Sequence, residues 1–242
     1  KILYSRELPN KEIMKLDIGK SSYHYLTWKN FRFGSDIIFN NFCYERYPVI
    51  WEIKKNDLKY KQTNEEFINK TYTIGGSIIF PKRINSINVQ RGRNPLIRDR
   101  FDLTLECIRR FYKSKEKPLQ AQDSPLSKTL EEDEAFFDLF VDFESYVDFF
   151  FLQDFVSANY SEVNFWCNEK EIFNGDPLPN NIEQYYYMIK VELEKLSKRN
   201  ERISTFIKKA SNTRFNLTLR TSRKCRLSEC YAYTFLTSII KE

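Results

Sequence analysis

Apolar residues recur along this chain with two different periods. Up to about residue 90 they fall in short runs rich in β-branched and aromatic side chains, punctuated by turn residues: KILYSREL, EIMKLDI, YHYLTWKNFRF closed by Gly34, and YPVIWEI. Such runs predict strands, because these side chains pack well on a pleated surface. TYTIGGSIIFPKR extends the pattern as a strand pair or a bulged strand around Gly75 and Gly76, stopped by Pro81. A Gly-Gly step permits positive φ or a close approach of another chain segment.

From Asn94 the period lengthens. Asn94-Pro95 supplies an N-cap followed by proline at the first helical position, and Phe101, Leu105, Ile108 and Tyr112 then recur at helical spacing, predicting a helix from about Pro95 to Lys113. The stretch Ser114 to Lys128, SKEKPLQAQDSPLSK, is polar and contains proline, so it predicts an exposed connection open to proteases. Phe136, Phe140, Phe143, Val147 and Phe150 then mark the stripe of one buried helix or two abutting ones, with Asp and Glu in the gaps. Asn180 to Lys209 predicts a long amphipathic helix with Tyr186, Ile189, Leu193, Leu196, Ile203 and Ile207 on its apolar face and a Glu194–Lys198 pair on its wet one. From Ser211, TRFNLTLRTSRKCR alternates like a terminal strand.

These elements predict an α+β fold in which an N-terminal mixed or antiparallel sheet packs against a C-terminal helical layer. The expected organisation is one two-lobed domain over 1–242: a strand-rich lobe at 1–93, a helical lobe at 94–210 and a basic tail element at 211–242. Composition sharpens the picture in three places. With 21 Phe and 15 Tyr against 6 Gly, the core is expected to be filled by rings. Five scattered cysteines without a CxxC pair suit reduced thiols in a cytoplasm better than a disulfide frame or zinc site, and the Asn-x-Ser/Thr triplets at Asn69, Asn159 and Asn216 are then chance matches. No apolar run approaches the roughly 18 residues of a membrane span, so no membrane partner is expected. The chain begins at Lys1 rather than Met, which reads as a fragment or a trimmed product.

The net charge of +6 is compatible with an anionic partner but decides little alone. Its densest expression is NVQRGRNPLIRDR, where Arg91, Arg93, Arg98 and Arg100 run into the start of a predicted helix, whose N–H groups and dipole favour an anion. Arginine forks match phosphate oxygens. These four residues are the candidate phosphate-binding set, for nucleic acid or a nucleotide, although RGRNP lacks the spacing of either nucleotide fingerprint. The alternative is a solvated loop whose arginines pair with nearby acids.

Within the following helix, Asp99, Asp102 and Glu106 are candidate catalytic carboxylates, spaced to share a divalent cation in phosphodiester hydrolysis. The plainer alternative is a salt-bridged face in which Glu106 bonds Arg109 or Arg110. Asp138/Asp142 and Glu144/Asp148 raise the same choice between shielded and ordinary wet-side acids. His24 is the sole histidine, and no GxSxG elbow accompanies it, so catalysis is expected to avoid His. Arg220, Arg223, Lys224 and Arg226, near Phe215 and Tyr231, form a second basic patch suited to single-stranded nucleic acid or left as a solvated charge run. A third reading is an interaction or regulatory module that offers the phenylalanines of 136–155 to a protein partner or to a second copy. No cofactor is indicated.

YTIGGSIIFPKRINSINVQRGRNPLIRDRFDLTLECIRRFY, LFVDFESYVDFFFLQDFV, KRNERI and the early LYSRELPN together resemble an uncharacterised bacterial family of unknown function. The resemblance covers about residues 1–207, leaves the basic tail outside, and implies no activity that can be carried over. Two positions depart from the family pattern. Val141 stands where LFGDF has Gly, which weakens a turn between two helices there. Phe111 replaces the His that follows IRR, which removes any mechanism resting on that His.

Overall fold

The computed structural model describes residues 3–19, 25–39, 58–81, 101–114, 130–166, 179 and 181–222. Four strands, β1 (Asp17–Ile18), β2 (Leu26–Trp28), β3 (Phe31–Ile37) and β4 (Ser77–Pro81), form one antiparallel sheet in the order β1-β2-β3-β4. YHYLTWKNFRF is thus a hairpin in its described part, turning at Lys29 and Asn30 with Lys29 at φ 52°. Gly34 does not end the strand: it pairs with Phe80, and β3 runs on to Ile37. Proline closes β4, an edge strand of the described sheet, a place where a missing N–H is tolerated.

Two other expectations for this half fail. The described part of KILYSREL forms no strand beyond an isolated Glu7–Ile13 bridge. Inside the region read as strands lies a helix, α1 (Leu58–Thr71). Among its described side chains only Phe67 and Thr71 are buried, so it lacks an apolar stripe that would have announced it. YPVIWEI and the exposed connection at 115–128 lie outside the described residues.

The helical layer comprises α2 (Phe101–Ser114), α3 (Glu134–Phe137), a 3-10 turn (Asp138–Phe140), α4 (Phe143–Phe150), a second 3-10 turn (Gln153–Phe155) and α5 (Ile182–Ser222). The stripe at 136–150 is therefore two abutting elements, and the turn between them forms despite the valine. Val141 sits at φ 69°, ψ −54°, and the Asp142 N–H donates to the Phe140 carbonyl at 2.7 Å, closing a γ-turn around a β-branched residue. Asp142 then caps α4, its Oδ1 accepting from the Ser145 N–H at 2.8 Å.

Sheet and helices meet through rings. Phe33 of β3 lies 5.4 Å from Phe136, and Phe80 of β4 lies 6.2 Å from Phe137. Phe140, Tyr146, Phe149 and Phe150 extend this cluster with centroid spacings of 4.8–5.2 Å. Burial of each such ring contributes roughly 2–3 kcal/mol. Because Phe136, Phe137, Phe140, Phe143, Phe149, Phe150 and Phe155 are all buried, the expected display of phenylalanine to a partner has no surface here. Asp138, Asp142, Glu144 and Asp148 between them are exposed.

Helix α5 runs 41 residues to Ser222, so the alternating TRFNLTLRTS is helical rather than a strand. Its buried face includes Tyr185, Met188, Ile189, Leu193, Leu196 and Ile203, with Tyr185 taking the place expected of Tyr186. The Glu194–Lys198 pair forms at 2.7 Å. By spatial contact the chain divides into two units, Lys1–Ile203 and Ser204–Glu242.

Candidate functional site

Helix α2 is buried nearly all round over its first two turns: Phe101, Leu103, Leu105, Cys107 and Ile108 are inside, and so are Asp102, Thr104 and Glu106. A buried charge must find partners or its desolvation dominates. Glu106, 2% exposed, binds two guanidinium groups of its own helix. Arg109 Nε and Nη2 donate to its two oxygens at 2.7 and 2.8 Å, and Arg110 Nε donates to Oε1 at 2.8 Å. Asp102 Oδ1 accepts from the Leu103 N–H at 2.9 Å. One turn on, the Tyr112 hydroxyl donates to the Phe137 carbonyl at 2.6 Å, and burial, followed by Tyr146, Asp138 and Asp142, raises its pKa above the ordinary phenol value.

A second polar layer lies on α5, where Glu192, Lys195 and Arg199 are buried at helical spacing. Lys195 Nζ donates to the Asn164 carbonyl at 2.6 Å and stands 3.8 Å from Glu192 Oε1 and 5.8 Å from the Phe155 ring. Phe155 also meets Phe101 of α2 at 5.7 Å, so both polar helices touch one ring. Arg199, fully buried, gives four hydrogen bonds to neutral oxygens: the carbonyls of Phe150, Gly75 and Ser77 and the Tyr4 hydroxyl, at 2.5–3.2 Å. Burial lowers its pKa, with Tyr4 acting in the opposite direction. Its neighbour Asn200 accepts from the Gly75 N–H at 2.6 Å and donates to Thr73 Oγ1 at 2.7 Å. A Cβ on Gly75 would come within 2.8 Å of the Asn200 backbone nitrogen, and one on Gly76 within 2.0 Å of the Thr71 carbonyl oxygen. The Gly-Gly step therefore serves close approach, as its sequence suggested.

Arg6 completes the arrangement. It donates to the Phe149 carbonyl, and its guanidinium lies over the Phe149 and Phe151 rings at 4.3 and 4.5 Å. Burial lowers its pKa to about 10, against an opposing effect of Tyr4. Two guanidinium groups thus meet the last carbonyls of α4, where a helix leaves acceptors unsatisfied and its dipole favours a cation. Asp142 and Glu144 occupy the opposite, N-terminal end.

Of the residues singled out in the sequence, Asp102 and Glu106 are placed, one turn apart on α2. Arg91, Arg93, Arg98, Arg100, Asp99 and His24 lie outside the described residues, as do Arg223, Lys224 and Arg226 of the C-terminal patch. Among the described residues no three His, Cys, Asp or Glu side chains converge as a metal ion would need. Glu106 is held by arginines, which leaves its oxygens poorly disposed toward a cation. The other acids have local work: Asp142 caps α4, and Asp148 accepts from Gln153 Nε2 and the Tyr160 hydroxyl, both at 2.9 Å. Phe111 is buried, 5.7 Å from Phe137. Sequence reasoning missed Arg6, Glu192, Lys195 and Arg199. The available signal for Arg199 was its place within KRNERI, three residues past Leu196 and four before Ile203, on the apolar stripe itself.

Fold and polar layers together define an α+β protein with a ring-filled core and internally compensated charges. The chain belongs to the Family of unknown function (DUF6994), whose model matches residues 1–203. No curated protein and no solved structure matches it. Among the described residues no helix is long and apolar enough to cross a membrane.

Proposed function

We propose that the protein binds a phosphate-bearing ligand, nucleic acid or a nucleotide, through Arg91, Arg93, Arg98 and Arg100. The observation that supports the reading is that the residues following the arginine run in sequence, Phe101–Ser114, are helical. The run thus lies on the N-terminal side of a helix, the side whose N–H groups and dipole favour an anion. Glu106, the second of two buried carboxylates on that helix, spends its charge on Arg109 and Arg110. The same pairing disfavours the metal-dependent hydrolase reading through Asp99, Asp102 and Glu106. The reading sets the protein in a bacterial cytoplasm, in keeping with five scattered cysteines that form no CxxC pair.

The test is fluorescence anisotropy of labelled single-stranded RNA and duplex DNA, titrated at several salt concentrations beside an Arg91→Ala/Arg93→Ala variant. Each lost phosphate contact should flatten the log–log salt slope by about 0.7–0.9, so the variant is expected to lose at least one unit. Equal slopes in the two proteins would reduce the loop to a charged turn.

A further inference from the structure

We draw no further inference here: the strongest candidate, the exposed apolar patch of Ile68, Tyr72 and Ile74 on and just beyond the last turn of α1, carries nothing because no feature of the structure shows what covers it.

Discussion

Helix α5 carries Glu192, Lys195 and Arg199 in its first half and Lys208, Lys209, Arg214 and Arg220 in its second, and the halves differ in what surrounds the charge. Up to Ile203 the three residues are buried, and Lys195 and Arg199 bond backbone carbonyls. Beyond it Lys208 and Lys209 are exposed, and no acid occurs through Ser222. The difference teaches that a cation's role follows from its acceptors rather than from its place in a charged run. A guanidinium bonded to three backbone carbonyls fixes those segments against one another, whereas an exposed lysine adds little to stability.

The comparison can be attacked first at Arg199. Replacing it with Met preserves much of the volume but leaves the carbonyls of Gly75, Ser77 and Phe150 without this donor. A buried acceptor left unsatisfied costs about 1–3 kcal/mol, so Arg199→Met is expected to lower unfolding stability by about 3–5 kcal/mol in urea titration, with an unchanged m value. Arg199→Lys should recover only part of this, because one ammonium cannot span acceptors that the planar fork reaches together. If Arg199→Met instead left stability intact and weakened binding of nucleic acid, the contrast between the two halves would collapse.

Glu106 offers a second, smaller blow. Glu106→Gln leaves Arg109 and Arg110 without the carboxylate that holds both. Breaking a fully buried pair costs about 3–5 kcal/mol. These guanidinium groups are 20% and 24% exposed and regain some hydration, so about 2–3 kcal/mol is expected by the same titration. A loss below about 0.5 kcal/mol would mean that the family domain does not depend on internal charge compensation.

The sheet, α2 and most of α5 were legible because each shows its own period of apolar residues. The Glu194–Lys198 pair followed from helical spacing alone. Helix α1 was hidden because Phe67 and Thr71 are its only buried described side chains, so tertiary contact rather than an apolar stripe holds it. The alternation of Phe215, Leu217 and Leu219 imitated a strand, but propagation from an established helix requires no new nucleus, and α5 simply continues. As for the site, the sequence marked Asp102 and Glu106 as polar positions on a helix and could not choose between a metal ligand and an ion pair. That choice depends on rotamers within one turn, which spacing does not encode. Arg199 was hidden for the converse reason: charged residues are normally read as outward, and this one finds its partners some 50 to 195 residues away in sequence.

The smallest effect is expected at Val141, and it gives the comparison a control. A valine at φ 69°, ψ −54° is a genuine outlier, since β-branched side chains strongly disfavour positive φ. Strain of this kind costs about 1–3 kcal/mol, and Val141 is 63% exposed, so little packing is lost with its side chain. Glycine removes the strain but restores chain entropy to the unfolded state, a cost of roughly 0.5–1 kcal/mol. Val141→Gly is therefore expected to stabilise by about 1 kcal/mol, a rise in Tm of about 2–4 °C measurable by scanning calorimetry. Because the substitution touches neither Arg199 nor Glu106, its gain should add to the loss caused by Arg199→Met within about 0.5 kcal/mol in the double variant. A gain that vanished in the Arg199→Met background would show that the turn and the buried guanidinium are coupled, and the strain at Val141 would then not be local.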